Sequence, residues 1–340
     1  MIHRKLRSRL TAPRGSEALV GTLFDERYRV HAWIGGGAFS NVYHATEGGG
    51  GGPALALKII RKGQSDHARS QTGMVESHAF EHEVRYNQMI RSPALARSYR
   101  ASRTRDGIDY IVMELVRGEA LDQRIRRRGA LELGHVRLLA EQLLEFLKDA
   151  HGRGIAHGDL KSGNLLVCDR EAFRVKVIDL GHARSFSGGG HASAHLVGTP
   201  GFLAPELVDG GVVEPRAEMF AVATILYHAT TGELPVQTPR NIAEERLEYL
   251  RDPSKPIPSR PARELRPDCP PAFDQALAWA LARNPGSRPP SVRAFGERLA
   301  QSFEDFPAAP PWDFDVEAEP SRLERFFDWI QDRWPFGGRG

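Results

Sequence analysis

The chain has 340 residues, 41% of them hydrophobic and 26% charged, which is ordinary for a soluble globular protein with one large core or two lobes. A formal net charge of +3 gives no basis for a nucleic-acid partner, and two cysteines, Cys168 and Cys269, exclude a disulfide framework. No uninterrupted apolar run reaches the roughly 18 to 20 residues that cross a bilayer, so a membrane-spanning receptor is not expected and the cytoplasm is the expected location.

Met1 to Arg14 is basic through Arg4, Lys5, Arg7, Arg9 and Arg14 and lacks the apolar core of a secretory signal. Residues 1–27 are expected to be a disordered arm. A strand-rich region follows, opening with Ile34-Gly35-Gly36-Gly37-Ala38-Phe39-Ser40-Asn41-Val42-Tyr43. Gly35 and Gly37 carry no side chain, so the backbone there can pass close over phosphates and offer them its N–H groups. Glu47 to Pro53 encloses a run of glycines at 48–52, read as a loose turn between strands. The next strand, Ala54–Ile60, sets Lys58 among apolar neighbours, and a buried ammonium needs a partner. Tyr110–Gly118 reads as a strand running into a hinge.

Beyond the hinge the pattern turns helical. Val136, Leu139, Leu143, Leu144 and Leu147 recur at helical spacing between Leu131 and His151, before Gly152 and Gly154. Two short motifs then each deliver a carboxylate. The first is His157-Gly158-Asp159-Leu160-Lys161-Ser162-Gly163-Asn164, followed by Leu165-Leu166-Val167. The second is the apolar strand Val175-Lys176-Val177-Ile178 ending in Asp179-Leu180-Gly181. As chemistry, Asp159 would orient and deprotonate an attacking hydroxyl, while Asn164 and Asp179 would supply hard oxygen ligands for magnesium on a triphosphate. That is phosphoryl transfer.

Pro215–Thr231 has the pattern of a buried central helix stopping at Gly232. Seven prolines between Asp252 and Pro271 predict an extended surface loop. Residues 272–283 and 291–303 read as closing helices. In the tail, Leu323, Phe326, Phe327, Ile330 and Trp334 form one apolar helical stripe, with Trp312 and Trp329 nearby. This stripe is expected to dock on the chain's own lobe, with a partner protein or a membrane surface as the alternatives.

From about Tyr28 to Phe303 the chain resembles the protein kinases, specifically the serine/threonine kinases of bacteria. The family's H-R-D-x-x-x-x-N, D-F-G and A-P-E signatures appear in order as His157–Asn164, Asp179–Gly181 and Ala204-Pro205-Glu206. The resemblance implies an α+β, two-lobed fold. A small β-rich lobe with one main helix would span 28–116, a larger helical lobe 117–303, and a tail 304–340. It implies ATP and Mg2+ as cofactors and serine or threonine side chains of proteins as acceptors. By the same resemblance Lys58 binds the α- and β-phosphates and pairs with Glu83, or failing that Glu81. Backbone groups of Glu114 and Val116 would meet the adenine edge, with Ile34, Val42, Ala56 and Leu166 as apolar faces around the nucleotide. Lys161 would steady the transferring group, Thr199 would bridge Asp159 and Lys161, His157 would support its loop, and Arg288 would pair with Glu206.

Several positions depart from the family. Ser40 stands where the third loop glycine is usual, Asn87 where the helix normally presents an apolar residue, and Glu218 where an aspartate anchors the catalytic loop; the extra methylene puts that anchor in doubt. Gly158 replaces the arginine that grips an activation-loop phosphate, so activity is expected not to need that phosphate. His-Gly-Asp also resembles the aminoglycoside phosphotransferases, a rival weakened by the segment Gly198–Glu206. A pseudokinase scaffold is the other rival, against which Lys58, Asp159, Asn164 and Asp179 are all present. His182, His191 and His195 are read as solvated loop histidines rather than a metal cluster.

Overall fold

The computed structural model describes residues 18–36, 40–48, 51–61, 79–168, 172–186 and 198–312. The chain divides into two compact units, one holding residues up to Val84 with Arg97–Leu115, the other Arg85–Ala96 with Val116–Trp312.

The first unit is an antiparallel sheet of β1 (Leu23–Phe24), β2 (Tyr28–Gly36), β3 (Ser40–Glu47), β4 (Ala54–Ile60), β5 (Ser98–Arg103) and β6 (Asp109–Glu114), in the order β1-β2-β3-β4-β6-β5. Strand alternation sorts its two faces. Tyr43, Ala45, Leu57 and Ile59 pack with Leu19, Phe24, Val30 and Val112 into one core. Lys58, between Leu57 and Ile59, therefore projects from the opposite face. Helix α1 (Ala79–Met89) sets Phe80 and Val84 against Ile111. Leu19 and Phe24 are fully buried under β2, so the expected arm 1–27 is corrected: the fold already includes residues 18–27. Residues 1–17 lie outside the described residues.

The second unit is built on helices α2 (Leu121–Arg128), α3 (Leu133–Gly152), α4 (Pro215–Thr231), α5 (Ala243–Arg251), α6 (Ala262–Leu265), α7 (Pro271–Ala280) and α8 (Val292–Ser302). Helix α4 is apolar on all sides because it is surrounded; Pro215 opens it and Gly232, at φ 80°, caps it. The strands β7 (Gly118–Ala120), β9 (Leu165–Cys168) and β10 (Arg174–Val177) form one small sheet, and β8 (Ile155–Ala156) pairs with β11 (Arg184–Ser185). The segment after α1 is tied into this unit by reciprocal bonds, Ala96 N–H to the Val177 carbonyl at 3.0 Å and Val177 N–H to that of Ala94 at 2.6 Å.

The proline-rich stretch is irregular except at α6, where the proline-free interval between Pro261 and Pro267 closes one helical turn. Past Phe303 the chain keeps packing: Phe306 lies 5.0 Å from the Phe273 ring, and Trp312 stands edge-on to Phe173 at 4.7 Å and to His135 at 4.8 Å. The apolar stripe 323–334 lies outside the described residues. Among the described residues no helix is long and apolar enough to cross a membrane.

Candidate active site

In the first unit, β3, β4 and β6 are paired so that Val42, Lys58 and Ile111 lie in one row. Lys58 is only 8% exposed, and its Nζ donates to both oxygens of the equally buried Glu83, at 2.8 and 2.9 Å. Glu83 is thus the partner, and Glu81 is exposed. Ile34 and Gly35 lie on β2, with Gly35 paired to Val42; Ala56 is buried on β4. Gly37 falls outside the described residues. Glu114 ends β6, where its N–H donates to the Arg97 carbonyl at 2.7 Å and its carboxylate accepts from the Arg97 N–H at 3.0 Å.

In the second unit the β9–β10 hairpin brings the two motifs together. Leu165 pairs with Val177, so Asn164 comes opposite Ile178, whose N–H donates to the Asn164 carbonyl at 2.9 Å, and Asp179 follows directly. Asn164 donates its side-chain amide to the Asp159 carbonyl at 2.8 Å, which leaves Oδ1 as its remaining side-chain acceptor. Asp179 sits at φ +66°, a strained left-handed conformation for a non-glycine residue, with Oδ1 accepting from Gly181 N–H at 3.2 Å. The hairpin thus brings two hard oxygen donors onto neighbouring segments, the donor type that a divalent cation takes.

Asp159 is 9% exposed and forms a closed triangle with two other predicted residues. Thr199 Oγ1 donates to Asp159 Oδ1 at 2.9 Å, and Lys161 Nζ donates to Thr199 Oγ1 at 2.8 Å and to Asp159 Oδ2 at 2.5 Å. Lys161 is thereby placed as a positive charge beside the Asp159 carboxylate. His157 is buried beneath them, with Nδ1 accepting from Asp159 N–H and Nε2 facing the Ile178 carbonyl, both at 3.3 Å. Burial pushes its pKa down, against the pull of Glu218, Asp179 and Asp159. The ring bridges the backbones of both motifs. Val116 follows the first unit's last strand, and Leu166 lies on β9, half-buried.

The doubtful positions are resolved by contacts that linear order does not display. Glu218 does anchor the loop, since the extra methylene lets one carboxylate serve two elements: Oε1 accepts from Gly158 N–H and Oε2 meets His151 Nε2, each at 2.8 Å. Asn87 is 3% exposed and donates to the Ala96 carbonyl at 2.7 Å, a polar substitute for apolar packing. His151 and the Ser162–His228 bond at 3.0 Å were not legible in the sequence, because their partners lie 66 or more residues away. Arg288, fully buried, holds Glu206 through both nitrogens at 2.7 Å, the pair that the family resemblance implied. His182 is described, whereas His191 and His195 lie outside the described residues.

Residues 28–299 match the family described as protein kinase domain. The chain is 30% identical over 291 residues to the serine/threonine-protein kinase pkn3 of Myxococcus xanthus, covering 84% of this chain and 51% of that protein. It is 27% identical over 286 residues to the serine/threonine-protein kinase PknA of Mycobacterium tuberculosis, covering 83% and 62%. Against the serine/threonine-protein kinase PknL of the same species it is 30% identical over 293 residues, covering 85% and 69%. The chain thus spans about half to two thirds of the length of these relatives.

Proposed function

The chain belongs to the protein kinase family, and from that premise we propose that it transfers the γ-phosphoryl group of ATP to serine and threonine hydroxyls of proteins. The observation that carries this reading is the triangle of Asp159, Lys161 and Thr199, a carboxylate held in place beside a fixed cation. The acceptor hydroxyl gives its proton to Asp159 as its oxygen bonds to the γ-phosphorus; the bond to the β,γ-bridging oxygen breaks and ADP leaves. Lys161 offsets negative charge on the transferring group. Lys58, steadied by Glu83, serves the α- and β-phosphates. Asn164 and Asp179 would hold a Mg2+ ion, which when bound would supply charge neutralisation on the phosphates.

The segment Gly198–Glu206, locked by Arg288, supports a protein acceptor over a small molecule, and the intact set of Lys58, Asp159, Asn164 and Asp179 supports catalysis over a scaffold role. Because Gly158 brings no guanidinium, we infer activity without activation-loop phosphorylation; replacing Ser185, Ser187 and Ser193 together with alanine is expected to leave turnover within about a few-fold.

The decisive test is phosphate transfer from radiolabelled ATP to protein acceptors by wild type and Asp159→Asn. Loss of roughly 10²- to 10⁴-fold in the variant is expected. Equal rates for both proteins, or labelling of aminoglycosides or sugars in place of proteins, would overturn the reading.

A further inference from the structure

The glycine loop contains one glycine more than phosphate binding asks for. Gly35 and Gly37 are accounted for by backbone approach, but the middle one, Gly36, is not. Its neighbours explain it. A Cβ at Gly36 would lie 2.8 Å from Asn41 Oδ1, 3.1 Å from the Ser40 carbonyl oxygen and 3.4 Å from an Arg61 guanidinium nitrogen. The space beside Gly36 is already filled by an amide and a guanidinium.

Those two groups are bonded to each other, Arg61 donating to Asn41 Oδ1 in a short contact. Asn41 is only 3% exposed, unusual for an amide next to a surface hairpin. Gly36 and Asn41 are register partners across β2 and β3, and Arg61 directly follows β4, beyond the Ser40–Ile60 pair. Three chain segments therefore meet at one hydrogen bond. Alternation fixes the side on which they meet: Asn41 and Tyr43 share a face with Leu57 and Ile59, whereas Val42 and Lys58 occupy the other. The clamp thus backs the neck of the loop from the face opposite Lys58. Tyr43 belongs to the same cluster; burial pushes its hydroxyl pKa up to about 12, with Arg61 and Asn41 pulling against that rise.

We propose that Asn41 is a positioning residue for nucleotide binding: clamped by Arg61 in the space vacated by Gly36, it holds both ends of the glycine loop at the height set by β4. The inference rests on ATP being the phosphoryl donor. It assigns Asn41 and Arg61 no contact with the nucleotide. Strand ends already held on either side of the loop leave ATP less to order, so losing the clamp weakens ATP binding and leaves the chemical step intact.

The test measures KM for ATP and kcat for wild type, Asn41→Ala, Arg61→Ala, Gly36→Ala and the double variant Gly36→Ala/Asn41→Ala, with Tm for each. For Asn41→Ala and Arg61→Ala, KM for ATP is expected to rise about five- to tenfold with kcat within about twofold, the loss of one hydrogen bond to a charged group. Gly36→Ala is expected to impair binding in the presence of Asn41 and to add nothing in its absence, a coupling that general destabilisation would not produce. Arg61 lies at the end of its strand, so Arg61→Ala reports on the clamp even if Asn41→Ala fails to fold. Unchanged KM for ATP in Arg61→Ala, or additive effects of Gly36→Ala and Asn41→Ala, would overturn the proposal. A wild type that transfers no phosphate would instead sink the underlying kinase reading.

Discussion

The carbonyl oxygen of His182 lies 2.3 Å from the point that a Cβ on Gly158 would occupy. Gly158 also sits at φ +84°, so the residue standing in the family's arginine position is glycine for two independent steric reasons. The missing guanidinium is built into the backbone path of the loop and is not a simple side-chain exchange.

Gly158→Arg is therefore expected to harm the protein. Both the left-handed backbone and the collision oppose it, and the predicted loss of unfolding free energy is roughly 2 to 4 kcal/mol. Urea denaturation of wild type, Gly158→Ala and Gly158→Arg measures it; an arginine variant as stable as wild type would contradict the geometry.

Arg288 gives the second prediction. Besides both Glu206 oxygens it donates to the carbonyls of Ala282, Arg283 and Arg216, at 2.7, 3.0 and 3.1 Å, and its guanidinium stacks 4.9 Å from the Phe220 ring centre. Arg288→Ala leaves those acceptors unpaired in a closed site and is expected to cost about 3 to 5 kcal/mol. Arg288→Lys should recover little, since an ammonium cannot hold both carboxylate oxygens in a fork. Thermal unfolding of the two variants provides the comparison.

The third concerns pH. Burial pushes the His228 ring down to about 4, while Asp122 pulls it up and Arg126 down. Above pH ~6.5 the ring is neutral in folded and unfolded chains alike and contributes nothing to the pH dependence. As the pH falls from there toward 4, only the unfolded chain takes the proton, so stability declines. The expected loss between pH 7 and pH 5 is on the order of 1 to 2 kcal/mol. His228→Gln should flatten this part of the profile in urea titrations. His157, also shifted down by burial, would leave a residual slope.

The fourth concerns the segment after Phe303. Gly134, near the start of α3, leaves no room for a side chain, because its Cβ would fall 2.3 Å from the Ala309 Cα. Trp312 then closes over His135 and Phe173 with Arg124 above its ring at 5.7 Å. Trp312→Ala is expected to destabilise the second unit by roughly 1 to 3 kcal/mol, and Gly134→Val to do the same by lifting the segment. If both variants, and a chain ending at Phe303, unfolded at the wild-type temperature, the docking would have no energetic weight.

Much of the site was legible in the linear chain because its chemistry is local. Asp159, Lys161 and Asn164 are fixed by one loop, and Asp179 by the end of one apolar strand. Lys58 within Ala54–Ile60 follows from strand alternation. The span Pro215–Thr231 was readable residue for residue, since a proline start, a glycine stop and an unbroken apolar run need no tertiary partner to be recognised. Glu83 was reachable only through the family resemblance, which left Glu81 open; the buried bond to Lys58 is what separates the two.

What stayed hidden depends on partners far apart in sequence. Nothing in the order of residues shows that the longer side chain of Glu218 reaches both Gly158 and His151, that Asn87 finds the Ala96 carbonyl, or that Leu19 and Phe24 lie under β2. Linear order determined which groups are the candidates for the chemistry, because spacing along a loop, helix or strand sets the periodicity of what faces where. The tertiary structure alone decided which departures from the family are tolerated, because a hydrogen bond or a packed ring depends on distances of a few ångströms between segments that the backbone brings together only when folded.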